Sequence, residues 1–225
     1  MEYSVRPITS IECRPWLLKK HYLKRMTSIS YAFGMYKGID LVGVCTFGNA
    51  VPMQMKKSIC GEKYMDIVYE LNRLCTMDNL ERNANSYFLA RVFKLLPQPM
   101  IVVSYADKSV GHNGYIYQAT NFFFTGESHT QMDWKLRGEE EKHSRTLMDE
   151  FAFEPDRVNK LKEKYGDRLY QEMRPPKYRY VMFLGSKKQK KAMWDNRLFD
   201  VKPYPKGENT RYDASQEIVS QTAFL

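Results

Sequence analysis

No stretch of this chain is apolar for long enough to cross a bilayer, and Glu2, Arg6 and Pro7 interrupt its start before a signal-peptide core can build. The four cysteines, Cys13, Cys45, Cys60 and Cys75, lie far apart with no Cys-x-x-Cys pair. That scatter argues against a disulfide framework or a zinc ribbon, and for reduced, mostly buried thiols. Internal repeats and low-complexity tracts are also missing, which sets solenoids aside. Together these absences predict a soluble, cytoplasmic protein with no membrane partner. Acid is in deficit too. Lys and Arg number 35 against 26 Asp and Glu, for a formal charge of +9, which favours a polyanionic partner. With 225 residues, 43% of them hydrophobic, the chain can bury a proper core.

What the chain does hold is an apolar run of strand length, residues 100–103, ending in Ser104-Tyr105-Ala106-Asp107. A glycine-punctuated turn follows, Gly111-His112-Asn113-Gly114, and then a short helix carrying Tyr117. Groups that move protons, set at the end of a buried strand before a turn and a helix, are where α/β proteins place chemistry. Around this centre, periodicity predicts a strand over 3–8, helical segments over 11–26 broken by Pro15, and a hairpin with arms 29–36 and 41–47. A strand over 67–75 follows, then a helix over 87–96 capped by Ser86. Residues 122–125 and 132–136 read as two strands that pair. Residues 138–170 read as charged and helical, 178–184 as the last strand, and 187–196 as a basic helix. The expected fold class is α/β, a mixed central sheet with helices on both faces. One catalytic domain is expected over 1–207, with a helical insertion at 137–172, a basic extension at 174–207 and a flexible tail at 208–225.

The charge is uneven. Between residues 174 and 197, eight basic residues stand against the single acid Asp195; Arg179, Lys187, Lys188, Lys190 and Lys191 are among them. Tyr178, Tyr180, Trp194 and Tyr204 interleave with or follow these charges. Basic groups with aromatics suit phosphate neutralisation plus base stacking, so nucleic acid is the expected partner. The plainer alternative is a solvated helix face.

The order strand, polar cluster, helix with Tyr117, then Asn121-Phe122 resembles the second half of the GNAT acyltransferase fold, whose helix reads roughly Ala-x-x-x-Tyr-x-x-x-Gly-Phe. The chain resembles the phage Mom family of DNA modification proteins more closely. That match rests on His21-Tyr22, Ser28-Ile-Ser-Tyr-Ala-Phe-Gly34, Leu41-Val-Gly-Val-Cys-Thr-Phe-Gly48, Glu70-Leu-Asn-Arg-Leu74, Asn83-Ala-Asn-Ser86, Ser104-Tyr-Ala-Asp107, Gly111-His112, Tyr117-Gln-Ala-Thr-Asn-Phe122 and Gly126. The resemblance implies transfer of a small carbamoylmethyl-type group from an acyl-group donor to the exocyclic amine of adenine in double-stranded DNA. Such a change shields phage DNA from host restriction enzymes, in the host cytoplasm. It also casts Tyr117 as general acid. One departure stands out. GNAT acyltransferases hold acyl-CoA with an Arg/Gln-x-x-Gly-x-Gly/Ala loop, whereas Arg82-Asn-Ala-Asn-Ser-Tyr87 has no glycine. Arg82, Asn83, Asn85 and Ser86, with Arg73, are the candidates for holding a phosphate-bearing donor such as acyl-CoA.

The candidates carry competing readings. Tyr117 is either a proton donor or a core tyrosine, and Asp107 a base or the cap of the turn behind it. His112 suits proton transfer. Ser104 and Asp107, and Tyr105 with Ala106, face opposite ways if the strand persists, so all four cannot point into one pocket. His21 and Tyr22 are raised only by the family match. His21, Asp107 and His112 would make a two-histidine, one-carboxylate iron site. Tyr31, Tyr105 and Tyr115 are candidates to stack on a displaced base. The pocket is expected where the central sheet splays. Two other functions remain open here: an acyltransferase acting on a protein or small-molecule amine, and a non-catalytic DNA-binding protein.

Overall fold

The computed structural model describes residues 3–207, so the expected tail at 208–225 lies outside the described residues. Strand β1 (Tyr3–Pro7) runs antiparallel to β2 (Tyr31–Lys37), and β2 forms a hairpin with β3 (Asp40–Gly48) across a turn with Gly38 at φ 62°. Helix α1 (Ser10–Pro15) begins at a capping box in which Thr9 and Glu12 exchange bonds, and a π-helical turn, Trp16–Lys20, continues it past Pro15. Helix α2 (Met53–Cys60) and a 3₁₀ turn lead into β4 (Val68–Thr76). Then come α3 (Ala84–Leu95), β5 (Met100–Ala106), α4 (Tyr115–Ala119) and β6 (Phe123–Glu127). After an insertion, β9 (Tyr178–Leu184) and α7 (Lys187–Asp195) complete the main unit.

These strands form one seven-stranded mixed sheet in the order β1-β2-β3-β4-β5-β9-β6. Its faces are covered differently. Phe88, Leu89 and Val92 of α3 pack with Phe33, Phe47, Leu71 and Val102 on one face. On the other, Cys13 and Leu17 cover Ala32, Val44 and Cys75, while Ile59, Cys60 and Met193 cover Val68, Ile101 and Val181. Burial on both faces explains why residues 100–103 are a continuous apolar run. The mixed α/β architecture with helices on both faces is therefore as expected.

Ser128–Lys177 forms a second compact unit. Its strands β7 (Gln131–Leu136) and β8 (Leu169–Arg174) pair antiparallel around α5 (Ser144–Asp149) and α6 (Arg157–Tyr165), with Leu136, Leu147 and Leu161 as its core. Two expectations are corrected here. The segment at 137–172 holds two helices, α5 and α6, as its composition suggests, but it is not helical to its end, because a charged strand, β8, closes it. Nor do residues 122–125 pair with 132–136: β6 pairs with β9 and β7 with β8. The unit carries eleven basic and eleven acidic residues, so the chain's formal excess of positive charge lies wholly outside it. Among the described residues, no helix is long and apolar enough to cross a membrane.

Candidate active site

The gap in the sheet begins between β4 and β5. These two parallel strands pair only from Val68–Ile101 to Glu70–Val103; beyond that, β4 follows β3 and β5 follows β9. The first position past the last rung is bridged by a side chain. Ser104 is buried, and its hydroxyl donates to the Leu71 carbonyl at 2.8 Å.

Tyr117 approaches this point from α4. Its ring packs against the main core, 5.3 Å from Phe122 and 5.2 Å from Tyr180. Burial pushes its phenol up to about 12, Ser104 pulls the other way, and the Cys45, Glu70 and Tyr180 groups add to the rise. A phenol so perturbed stays protonated through neutral pH, so it can donate but not serve as a base. Tyr105 points to the opposite face, as strand alternation requires, among Ile101, Val103 and Phe183. Burial and the charge of Glu70 also raise it, to about 12, against Arg179. It is a packed residue rather than an open stacking surface.

The turn beyond β5 is built by Asp107. That carboxylate is buried and accepts from the Ser109 amide at 3.1 Å and its hydroxyl at 2.6 Å, while the Asp107 carbonyl accepts from the His112 amide. Asp107 therefore caps its turn and, by the same bonds, fixes where His112 begins. His112 lies edge-on to Tyr22 at 5.7 Å, and Tyr22 lies 4.6 Å from His21. His21 is buried, and its Nδ1 accepts from the Leu23 amide. The fold thus brings two distant sequence pieces, 21–22 and 107–112, into one aromatic row.

Arg73 belongs to the same neighbourhood. Burial lowers its pKa, with Arg25 acting in the same sense, while Tyr22 and Glu70 oppose the fall. Its Nη1 donates to the Asn72 carbonyl at 2.6 Å, and its Nε is buried without a hydrogen-bond partner. Sequence reasoning gave Glu70 no role of its own. Its charge is felt by Arg73, Tyr105 and Tyr117 alike. Its signals were an acid in a strand with mixed faces and a place in the Glu70-Leu-Asn-Arg-Leu74 stretch of the family match.

The donor candidates sit at the start of α3. Asn83 takes the left-handed conformation at φ 69° and gives no side-chain cap, and Ser86 lies inside the first turn with its hydroxyl donating to the Asn83 carbonyl. The expected Ser86 cap is thereby corrected: the chain turns at Asn83 instead. Asn83 and Ser86 line a hollow of about 460 Å³ between α3 and α4, with Tyr87, Ala90, Phe93 and Thr120. An uncapped helix start flanked by Arg82 suits a phosphate-bearing donor even without glycine, because Asn83 supplies the left-handed turn. Iron fares differently. Among the described residues, no three His, Cys, Asp or Glu side chains come together to hold a metal ion, and His21, Asp107 and His112 form no such group.

Of the proposed DNA contacts, Lys187, Lys188, Lys190 and Lys191 stand exposed on α7. Arg179 is partly buried and its Nε donates to the Thr125 hydroxyl. Tyr180 is corrected as a stacking residue, being wholly buried with its hydroxyl donating to the Asn113 carbonyl. Tyr178 and Trp194 pack on Phe124 and Phe123, and Tyr31 on Tyr69 at 5.4 Å. Tyr115 is more than half exposed.

Comparison with known proteins agrees with the sequence resemblance. The model of the "Mom protein family" matches residues 2–206. The "Methylcarbamoylase mom" of Escherichia phage Mu is 31% identical over 210 residues, covering 91% of this chain and 84% of its own length. Among solved structures, an N-acetyltransferase from Staphylococcus aureus Mu50 superposes with a TM-score of 0.44 at 11% identity, over 82% of this chain and all of that one. A putative acetyltransferase from Salmonella typhimurium, solved with acetyl-CoA, gives 0.44 at 8% identity, over 83% and 96%. Likenesses this distant say nothing about chemistry, whereas the family match spans nearly the whole chain. The chain belongs to the Mom protein family.

Proposed function

We propose that this protein transfers a small carbamoylmethyl-type group to the exocyclic amine of adenine in DNA. The observation that carries the reading is the 31% identity to the phage Mu methylcarbamoylase across 91% of the chain. The charge distribution supports it, since the positive excess lies outside Ser128–Lys177 and α7 presents four exposed lysines to a duplex backbone. Adenine's amine lies within the stacked duplex, so the base swings out to meet the site. Because that amine is a major-groove donor that restriction enzymes read, covering it hides the sequence.

In the proposed reaction, the adenine nitrogen forms a bond to the donor's carbon as the bond from that carbon to the leaving group breaks. The amine's proton passes to Asp107 or His112. Tyr117, held protonated by burial, donates to the leaving group's developing charge. Arg82, Asn83, Asn85 and Ser86 would hold a phosphate-bearing donor such as acyl-CoA; because direct attack on a thioester carbonyl leaves an amide, a carbamoylmethyl product requires the leaving group to depart from the methylene carbon that bears the carboxamide. No step runs through iron. An exocyclic aromatic amine is a weak nucleophile, so orientation contributes more than deprotonation. The test is to digest DNA from cells expressing the protein and weigh its nucleosides. A heavier deoxyadenosine derivative supports the reading, and unmodified deoxyadenosine beside abundant soluble protein refutes it.

A further inference from the structure

Strand β4 breaks its own alternation. Tyr69, Leu71 and Leu74 all pack in the main core, although Leu74 follows Leu71 by three positions rather than two. Cys75 then lies in a cluster on the opposite face. The break is at Asn72. Thr46 pairs with Arg73 and Phe47 with Leu71, so Asn72 faces no partner on β3 and forms a bulge. In a regular strand without the bulge, Arg73, two positions after Leu71, would share its side and drive a guanidinium into hydrocarbon. With it, Arg73 turns to the other side, where burial lowers its pKa while Tyr22 and Glu70 oppose the fall and Arg25 adds to it.

The Asn72 side chain also holds a second part of the site. Its Nδ2 donates to the Ser28 carbonyl at 2.9 Å, and its Oδ1 accepts from the buried Thr46 hydroxyl at 2.7 Å. Gly48 leaves room for this knot: a Cβ there would stand 2.2 Å from the Ser28 oxygen and 2.6 Å from Asn72 Nδ2. Two residues on, the Ser30 amide donates to the Phe47 carbonyl at 2.7 Å. The segment that begins at His21-Tyr22 is therefore fastened at its far end to the same residue that aims Arg73.

We infer that Asn72 is a positioning residue, setting Arg73 and the His21–Tyr22 segment in register with each other. This role rests on the proposed DNA-modifying activity for its kinetic test, but not for its structural one. Asn72→Ala removes both side-chain bonds, and Thr46→Val removes the one that orients the amide, whereas Thr46→Ser keeps it. Both disruptive variants lower turnover about tenfold or more, because misplacement of an ångström carries costs of that order. The Michaelis constant for DNA stays within about twofold, since the lysine surface is untouched. Thr46→Ser keeps the wild-type rate. Amide hydrogen exchange over residues 22–28 quickens about tenfold in the two slow variants and stays at the wild-type rate in Thr46→Ser.

Wild-type turnover in Asn72→Ala, a rise confined to the Michaelis constant, or exchange at the wild-type rate in that variant would each overturn the inference. Should Asn72→Ala not fold, Asn72→Asp decides by the same criteria, because it keeps the shape and the bond from Thr46 but cannot donate to Ser28. If the wild-type protein leaves deoxyadenosine unmodified, the proposed activity fails, and the exchange comparison still decides the positioning role.

Discussion

Replacing Gly114 with alanine probes how tightly the turn before α4 is seated. Gly114 has φ 80°, and a Cβ there would stand 2.4 Å from Tyr180 Cε2, a full ångström inside ordinary contact. Tyr180 cannot easily give way, being wholly buried and stacked between Tyr117 at 5.2 Å and Phe124 at 5.3 Å. Its hydroxyl also donates to the Asn113 carbonyl at 2.5 Å, tying the ring to the very turn that would push it. The left-handed backbone costs alanine roughly 1–2 kcal/mol. Overpacking adds about 1–3 kcal/mol. A total of roughly 2–5 kcal/mol in a chain of this size lowers the melting temperature by roughly 4–20 °C. Either the ring moves, disturbing Tyr117, or the turn lifts, carrying His112 away from Tyr22, so modification falls as well. Circular dichroism melting of the purified variant, paired with nucleoside analysis, checks both. A melting temperature within about 1 °C of wild type would refute the packing argument.

Other outcomes follow from the same packing and charge. Tyr105, Tyr117 and Tyr180 are each raised from the usual 10.0 to about 12 by burial. Such phenols bind their protons more tightly folded than unfolded, so their contribution to stability is full below pH 10 and is lost as pH rises through 12. Urea midpoints should hold steady up to about pH 10 and then drop, and Tyr105→Phe should make the drop shallower; an unchanged pH profile in that variant would count against its buried phenol. Reversing Lys187, Lys188, Lys190 and Lys191 to glutamate should leave the melting temperature within about 2 °C, since all four are exposed. The same change should weaken DNA binding and flatten its salt dependence by about 0.9 for each phosphate that is no longer neutralised; an identical salt slope would remove α7 from the interface.

Local patterns made much of the fold legible. The apolar run at 100–103, the turn at Gly38 in the β2–β3 hairpin and the three-to-four periodicity of α3 are each contained in one short stretch of chain. What escaped were features decided elsewhere. β8 reads Leu-Tyr-Gln-Glu-Met-Arg, and its charged composition is tolerated because it lies in a two-stranded ribbon with three of its six residues exposed. β6 finds its partner in β9, more than fifty residues away, so proximity to β7 misled. α2, only eight residues long with two adjacent lysines, gave no clear stripe. Within the site, Ser104, Asp107, His112 and Tyr117 lie in one short segment and could be read together. The place of Arg73 near Tyr22 and Arg25 depends on the extra residue at Asn72, which no strict two-residue alternation anticipates.

The most direct test of chemistry in the gap between β4 and β5 compares nucleosides from cells making the wild-type protein and Tyr117→Phe at equal soluble abundance. Loss of one buried hydroxyl leaves the fold in place, so the prediction is a carbamoylmethyl-type deoxyadenosine in the first digest and little or none in the second. Equal modification in both would contradict the account, because the proton donor would then have to lie somewhere else.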